Sequence, residues 1–196
     1  DTETGFQGGQ AVAAPAGTVE EVDGRKALHL NGTSDFLNVT KEDGSSLLTN
    51  VAAMTVSFDM KPTAHGVSSW PFYAAPSDKG QPISENGEIY TGIFVNNGGE
   101  LHVERYLNGR GEGSIANAGK NDEWTHVEVQ FNEEETILSV DGTEVKRLPC
   151  TYSLTDIFGE NSILQLGKAN WGGGEYFQGY LDNYKIVATK IITNKE

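Results

Sequence analysis

The chain has 196 residues, of which 28 are acidic and 14 basic, and its formal net charge is −14. This excess of negative charge disfavours nucleic acids and anionic membranes as partners, because phosphates are bound by basic surfaces. No apolar run approaches the roughly 18 residues of a membrane-spanning helix. The single cysteine, Cys150, excludes an internal disulfide and a cysteine-based zinc cluster. We therefore expect one domain over residues 1–196 that binds neutral ligands or divalent cations.

Alternation of apolar and polar residues, with turn signals about every ten residues, predicts a nearly all-β chain. In chain order the predicted strands are Gly17–Val22, Lys26–Leu30, Asp35–Val39, Met54–Pro62, Trp70–Ala75, Glu88–Asn96, Glu100–Leu107, Gly113–Ala116, Trp124–Phe131, Glu135–Val140, Thr143–Arg147, Ser162–Gly167 and Tyr176–Thr189. Lys41–Asn50 is predicted as a loop, and Thr151–Gly159 as a loop or a short helix. So many short strands favour two packed antiparallel sheets, which is a jelly-roll β-sandwich.

Three features of this pattern specify local structure. Asp23-Gly24 and Asp141-Gly142 are dipeptides typical of tight hairpin turns. Within Met54–Pro62, every second residue is a large apolar one, which predicts one buried and one solvated face. In the predicted hairpin Glu88–Leu107, one face is polar and aromatic.

Three segments resemble, in the same order, the laminin-G-like domains of the concanavalin A-like superfamily. They are residues 27–39 (ALHLNGTSDFLNV), residues 122–127 (DEWTHV) together with 137–142 (ILSVDG), and residues 176–186 (YFQGYLDNYKI). The resemblance implies a laminin-G-like β-sandwich. Bacterial members of this kind are commonly accessory modules of secreted multi-domain enzymes that degrade glycans, and others occur in adhesins. The resemblance therefore also implies an extracellular or cell-surface location, with neighbouring domains of the same polypeptide as partners.

Asp182 is an acidic residue in an otherwise apolar predicted strand, where a buried carboxylate needs a counter-ion or several hydrogen-bond donors. Related sandwich domains often hold a structural calcium with an aspartate of the closing strand and with carbonyls from the chain start and a glycine turn. The resemblance thus implies a calcium site with Asp182, Gly32, Asp1 and Glu3 as ligands. Oxygen ligands of this kind suit calcium. The alternative is that Asp182 caps backbone N–H groups at a β-bulge.

The acidic clusters do not indicate a glycosidase. Such an enzyme needs two carboxyl groups on either side of the glycosidic bond. The clusters Glu20–Asp23, Asp122–Glu123 and Glu133–Glu135 lie instead at predicted turns or strand ends. The four histidines show no pattern that indicates a catalytic triad. We therefore predict a non-catalytic protein.

Sugars present flat C–H faces and a rim of hydroxyls, so a carbohydrate site needs an exposed aromatic platform beside polar groups. The candidate platforms are Trp171, Trp70, Tyr73, Tyr90 and Tyr106, and the candidate polar partners are Asn96, Asn97, His102, Glu104, Arg105 and Asn170. Aromatic residues at alternate strand positions are also common in cores, so each aromatic could be a core residue instead. Trp171 differs because three glycines follow it directly. Trp124 is predicted to lie in the core.

These observations predict a calcium-stabilised, non-catalytic module that binds a neutral oligo- or polysaccharide. The alternative from a different class is a structural, protein-interaction or adhesin module without a sugar site.

Overall fold

The computed structural model describes residues 17–64, 68–76, 89–96, 98–107, 114–115, 117–150, 152–170 and 173–190. In chain order the strands and the helix are β1 (Thr18–Val22), β2 (Arg25–Asn31), β3 (Leu37–Asn38), β4 (Val51–Ala64), β5 (Ser69–Pro76), β6 (Ile89–Val95), β7 (Leu101–Leu107), β8 (Ser114–Ile115), β9 (Thr125–Phe131), β10 (Glu135–Val140), β11 (Thr143–Pro149), α1 (Leu154–Phe158), β12 (Ser162–Leu166) and β13 (Gln178–Lys190).

These strands form two antiparallel sheets. The seven-stranded sheet has the order β1-β2-β13-β4-β9-β10-β11, and the six-stranded sheet has the order β3-β12-β5-β6-β7-β8. The long strand β13 pairs with β2 on one side and with β4 on the other, so the end of the chain closes the middle of its sheet. The predicted all-β jelly-roll sandwich is confirmed.

The predicted hairpin turns are also confirmed. Asp23 and Gly24 have φ values of 51° and 78°, and Asp141 and Gly142 have values of 50° and 78°. Two consecutive positive φ values are the geometry of the tight turn whose twist matches antiparallel strands, and Asp-Gly adopts it readily. These turns fix the registers of β1 with β2 and of β10 with β11.

The main core lies between the two sheets. Met54, Val56, Phe58 and Met60 all point into it, as their alternation predicts. On β13, Tyr184 stacks on Phe58 with ring centroids 4.9 Å apart. Its hydroxyl donates to the carbonyl of Pro71 at 2.9 Å and so connects the seven-stranded sheet to the six-stranded one. Burial raises the pKa of Tyr184 well above its usual value.

The segment predicted as a loop or a short helix contains α1. The Ser153 side chain accepts a hydrogen bond from the backbone N–H of Asp156 and thereby caps the first turn. Leu154, Ile157 and Phe158 are buried in the main core. No helix in the described ranges is long and apolar enough to cross a membrane.

Candidate functional site

Strand register aligns five residues in one row across the six-stranded sheet. Asn38 pairs with Gln165, Gln165 with Tyr73, Tyr73 with Gly92, and Gly92 with Glu104. Side chains alternate along a strand, and the sequence neighbours of this row lie in the main core: Leu37, Leu166, Phe72, Ile93 and Val103. The row therefore lies on the face of the sheet that points away from the seven-stranded sheet, which we call the outer face.

Five rings on the outer face form an aromatic cluster, made of Trp70, Tyr73, Tyr90, Phe94 and Tyr106. The centroid of Trp70 lies 5.7 Å from Tyr73, 5.7 Å from Tyr90 and 4.4 Å from Phe94. Tyr106 stacks on Tyr90 at 5.2 Å with an interplanar angle of 12°. This cluster is separate from the main core between the sheets.

A glycine allows the indole of Trp70 to lie on the sheet. A Cβ atom at Gly92 would be 2.3 Å from Cζ3 of Trp70, which is closer than real atoms approach. Gly92 is therefore required by close contact with the ring, since its φ is not in the left-handed region.

Two carboxylates lie against the aromatic cluster. Glu104 is only 1% exposed, and its Oε2 accepts a hydrogen bond from the Tyr90 hydroxyl. Glu175, which precedes β13, accepts a hydrogen bond from the indole N–H of Trp70. Burial raises the pKa of Glu175 against the effect of the Trp70 hydrogen bond, and the charge of Glu104 raises it further. The outer face thus combines aromatic rings with acidic groups.

The prediction that Trp70, Tyr73 and Tyr90 are exposed platforms is wrong. All three are buried, because their rings pack against one another and against neighbouring residues on the outer face. The alternative interpretation, that they are core residues, holds for these three. Tyr106 is partly exposed, so its role as a platform stays a prediction. Trp171 lies outside the described residues.

The predicted sugar contact by Arg105 is also wrong. It is 0% exposed and points to the opposite side of the sheet from Glu104 and Tyr106. Its guanidinium donates to the carbonyls of Asn132 and Glu135 at 2.7 and 2.8 Å. It therefore connects β7 to the segment around β10 as a structural residue.

Asn96 and His102 are partly exposed, but their polar atoms have local partners. The Asn96 Oδ1 accepts from the backbone N–H groups of Gly98 and Glu100, and its amide nitrogen donates to Glu100 at 2.7 Å. His102 stacks on Phe94 with centroids 4.5 Å apart. Asn96 therefore shapes the hairpin turn, and a sugar contact by either residue stays a prediction.

The environment of Asp182 does not fit a calcium ligand. The carboxylate is 9% exposed and lies at a register shift of β13, where Asn183 has a φ of 48°. Its Oδ1 accepts the backbone N–H of Asn183 at 2.8 Å, and its Oδ2 lies 3.5 Å from the guanidinium of Arg25. The contact with Asn183 is that of the bulge-capping alternative, and Arg25 is a nearby positive charge.

Gly32, another predicted calcium ligand, does not meet Asp182. Gly32 lies against Gln178, four residues before Asp182 on β13, which separates them by roughly 13 Å along the strand. Asp1 and Glu3 lie outside the described residues. Within the described ranges, no group of three or more His, Cys, Asp or Glu side chains could hold a metal ion. A bound calcium stays a prediction, and its ligands would not be Asp182 and Gly32 together.

Trp124, predicted in the core, is instead partly exposed beside Arg25. The guanidinium of Arg25 lies 4.3 Å from its ring centroid, and its indole N–H donates to Asp23 at 2.9 Å. It precedes the first residue of β9, so the alternation that buries Thr125 and Val127 does not extend to it.

Sequence reasoning missed Glu175 and Gln165. A glutamine among Ile163, Leu164 and Leu166 is a usable signal, comparable to that of Asp182. Glu175 follows a glycine triplet and had no comparable signal, because its partner Trp70 is 105 residues away in the chain.

Solved structures with the same fold include carbohydrate-binding modules. The Ruminococcus gnavus IT-sialidase CBM40 bound to α2,3-sialyllactose is 14% identical, with a TM-score of 0.66 over 86% of this chain and 91% of that one. Domain 4 of AbnA, a GH43 extracellular arabinanase from Geobacillus stearothermophilus in complex with arabinotriose, is 18% identical, with a TM-score of 0.58 over 94% and 82%. At these identities the likeness shows the fold alone.

A third match is a much longer enzyme chain. The K499G mutant of NanB sialidase from Streptococcus pneumoniae is 18% identical with a TM-score of 0.64, and the match covers 86% of this chain but 26% of that one. No curated protein matches the sequence. The family model of the concanavalin A-like lectin/glucanases superfamily, Laminin_G_3, matches residues 31–192, which confirms the resemblance noted in the sequence. The chain therefore belongs to the concanavalin A-like lectin/glucanase superfamily.

Proposed function

We propose that the chain is a non-catalytic module that binds a neutral carbohydrate on the outer face of the six-stranded sheet. The observation that carries this proposal is the aromatic cluster with its two carboxylates. Outer faces of antiparallel sheets are commonly solvated, so a concentration of rings there needs a reason. Stacking on a partly exposed ring such as Tyr106, with hydrogen bonds from polar neighbours, is a chemically suitable mode of sugar binding.

The charges of the outer face favour a neutral over an acidic sugar. Arg105 is the only lysine or arginine in the six strands of this sheet, and it points to the main core. Glu104 and Glu175 would repel a sugar carboxylate. Of the similar structures, the arabinanase domain was solved with a neutral ligand, arabinotriose, and the sialidase module with the acidic sialyllactose. A neutral ligand such as arabinotriose therefore suits this face better than an acidic one.

The same carboxylates give little support to catalysis. A glycosidase needs two carboxyl groups that can reach either side of a sugar bond. Glu104 is buried under the Tyr90 hydroxyl and is therefore poorly placed for such a role. In keeping with the similar modules, we further propose that the chain is part of a longer extracellular or cell-surface polypeptide that acts on glycans.

Tyr106→Ala should weaken glycan binding by at least about tenfold, or about 1.4 kcal/mol, because the variant loses the partly exposed ring of the cluster. The measurement is titration calorimetry with neutral tri- to hexasaccharides of arabinose, glucose, mannose and galactose, and with α2,3-sialyllactose. We expect at least one neutral oligosaccharide to bind more tightly than sialyllactose.

Tyr180→Ala is the matched control. Tyr180 is also partly exposed and stacks on an aromatic ring, His29 at 4.9 Å, but it belongs to the seven-stranded sheet. Tyr180→Ala should therefore leave the affinity for the glycan unchanged. If the folded wild type binds none of these sugars, the proposal is wrong and a structural or protein-interaction module is favoured. Equal losses in both variants would move the site away from the aromatic cluster.

A further inference from the structure

A cleft with a volume of 460 Å³ lies at the edge of the outer face, where β3 pairs with β12. None of the described residues that line it is charged. Most of them carry amide or hydroxyl groups, namely Asn38, Thr40, Ser46, Ser162, Gln165 and Asn170. The volume is within the usual range of small-ligand sites.

One lining residue of this cleft, Gln165, has a buried side-chain amide. It is 8% exposed, and its amide nitrogen donates to Oδ1 of Asn38 at 3.2 Å. Its other polar atom, Oε1, is buried and has no hydrogen-bond partner among the described residues. Buried acceptors in native proteins are almost always paired, so an unpaired one at a cleft indicates a missing donor.

The neighbouring hydroxyls cannot supply that donor, because they are already engaged. Ser46 Oγ donates to the Ser162 carbonyl at 2.7 Å and accepts the Ser162 N–H at 3.0 Å. Thr40 Oγ1 donates to the carbonyl of Lys41 at 2.9 Å. These hydroxyls are thus held by their own hydrogen bonds, and the Gln165 carbonyl oxygen accepts from neither of them.

The position of Gln165 connects the cleft to the aromatic cluster. Gln165 pairs directly with Tyr73 in the row that crosses the sheet to Glu104. From β12 to β7, which carries Tyr106, there are three strand spacings, or roughly 14 Å. A ligand with several linked units can therefore contact both ends of the outer face.

We propose that the cleft between β3 and β12 binds one unit of a neutral, hydroxyl-rich oligosaccharide, and that a sugar hydroxyl donates to the Gln165 side-chain carbonyl. A hydroxyl donor fits because the lining is uncharged and an ammonium group would have no carboxylate there. The assignment rests on the proposed function and adds a second, hydrogen-bonding subsite to it.

The test is Gln165→Met, which keeps the length of the side chain and removes both its acceptor and its donor. Calorimetry with the neutral oligosaccharide that the wild type binds most tightly should give at least a tenfold loss of affinity. The matched control is Gln130→Met, since Gln130 is a partly buried strand glutamine of the seven-stranded sheet. The affinity of Gln130→Met for the oligosaccharide should stay within twofold of that of the wild type.

The outcomes separate this subsite from the proposed function. If Tyr106→Ala loses affinity and Gln165→Met does not, the module binds sugar and the cleft assignment is overturned. If no sugar of the panel binds the wild type, both are overturned. Should Gln165→Met fail to fold, Asn38→Ala replaces the partly exposed amide that holds Gln165. We expect a tenfold loss there too, and an unchanged affinity would overturn the assignment.

Discussion

Arg105→Met should lower the free energy of unfolding by about 3–5 kcal/mol, because it leaves the four acceptors around a buried guanidinium without their donor. One guanidinium nitrogen, Nη1, donates to the carbonyls of Asn132 and Tyr152 at 2.7 and 3.0 Å. The other, Nη2, donates to the Glu135 carbonyl at 2.8 Å and to the Thr136 hydroxyl at 2.7 Å. Methionine fills much of the volume and satisfies none of them. Urea unfolding of the purified variant measures the change.

Arg147→Met is the matched control. Arg147 is about half exposed and pairs with Glu135 at 2.7 Å and Glu144 at 2.9 Å on the surface. Exposed pairs contribute little, so this variant should lose less than about 1 kcal/mol. Similar small losses in both variants would contradict the structural role of Arg105. An Arg105→Met protein that kept its stability and lost glycan binding would restore the interpretation of Arg105 as a sugar contact.

Asp59→Asn should make the free energy of unfolding depend less on pH in the acidic range. Asp59 Oδ2 accepts from Arg25 at 2.9 Å and from the Asn183 amide at 2.8 Å, and its Oδ1 lies 2.6 Å from Nδ1 of His126. Burial alone would raise the pKa of Asp59, but the hydrogen bonds from Asn183, His126 and Arg25 outweigh burial and lower the pKa.

The direction of the effect follows from this lowered pKa. The unfolded chain, with an aspartate pKa of about 3.9, takes up the proton before the folded protein does as the pH falls. The stabilisation by Asp59 is thus fully present above that pH and is lost below it. Asp59→Asn should be about 1–3 kcal/mol less stable at neutral pH, and its stability should fall less steeply in acid.

Thermal unfolding from about pH 7 to about pH 2 tests this expectation. The control is Glu21→Gln, which neutralises an exposed acid on β1 in the same sheet. Its curve should follow that of the wild type. If Asp59→Asn followed the wild-type curve as well, protonation of Asp59 would not be the cause of the loss of stability in acid.

The fold could be predicted because its signals are local in the sequence. The alternation from Met54 to Met60 and the two Asp-Gly turns each concern only a few consecutive residues. They determine which face of a strand is buried and where the chain reverses. The strands and turns that these signals predict do not depend on distant residues, and the structure agrees with the predictions.

The site was harder to predict because exposure on the outer face depends on distant partners. Trp70 is buried partly because Gly92, on the next strand, leaves room for its ring. Arg25, the nearby positive charge of Asp182, is 157 residues away in the chain. The need of Asp182 for a counter-ion or donors could be read from the sequence, whereas the proximity of Arg25 could not.

The most direct test of a carbohydrate site on the outer face is to map the bound sugar by NMR on the labelled wild-type protein. Titration with the tightest-binding neutral oligosaccharide should shift the amide signals of Tyr106 on β7 and of Gln165 on β12, and the side-chain amide signals of Gln165. Signals of Tyr180 and its neighbours on the seven-stranded sheet should stay in place. Shifts confined to the seven-stranded sheet, or no shifts with any neutral oligosaccharide, would contradict a carbohydrate site on the outer face.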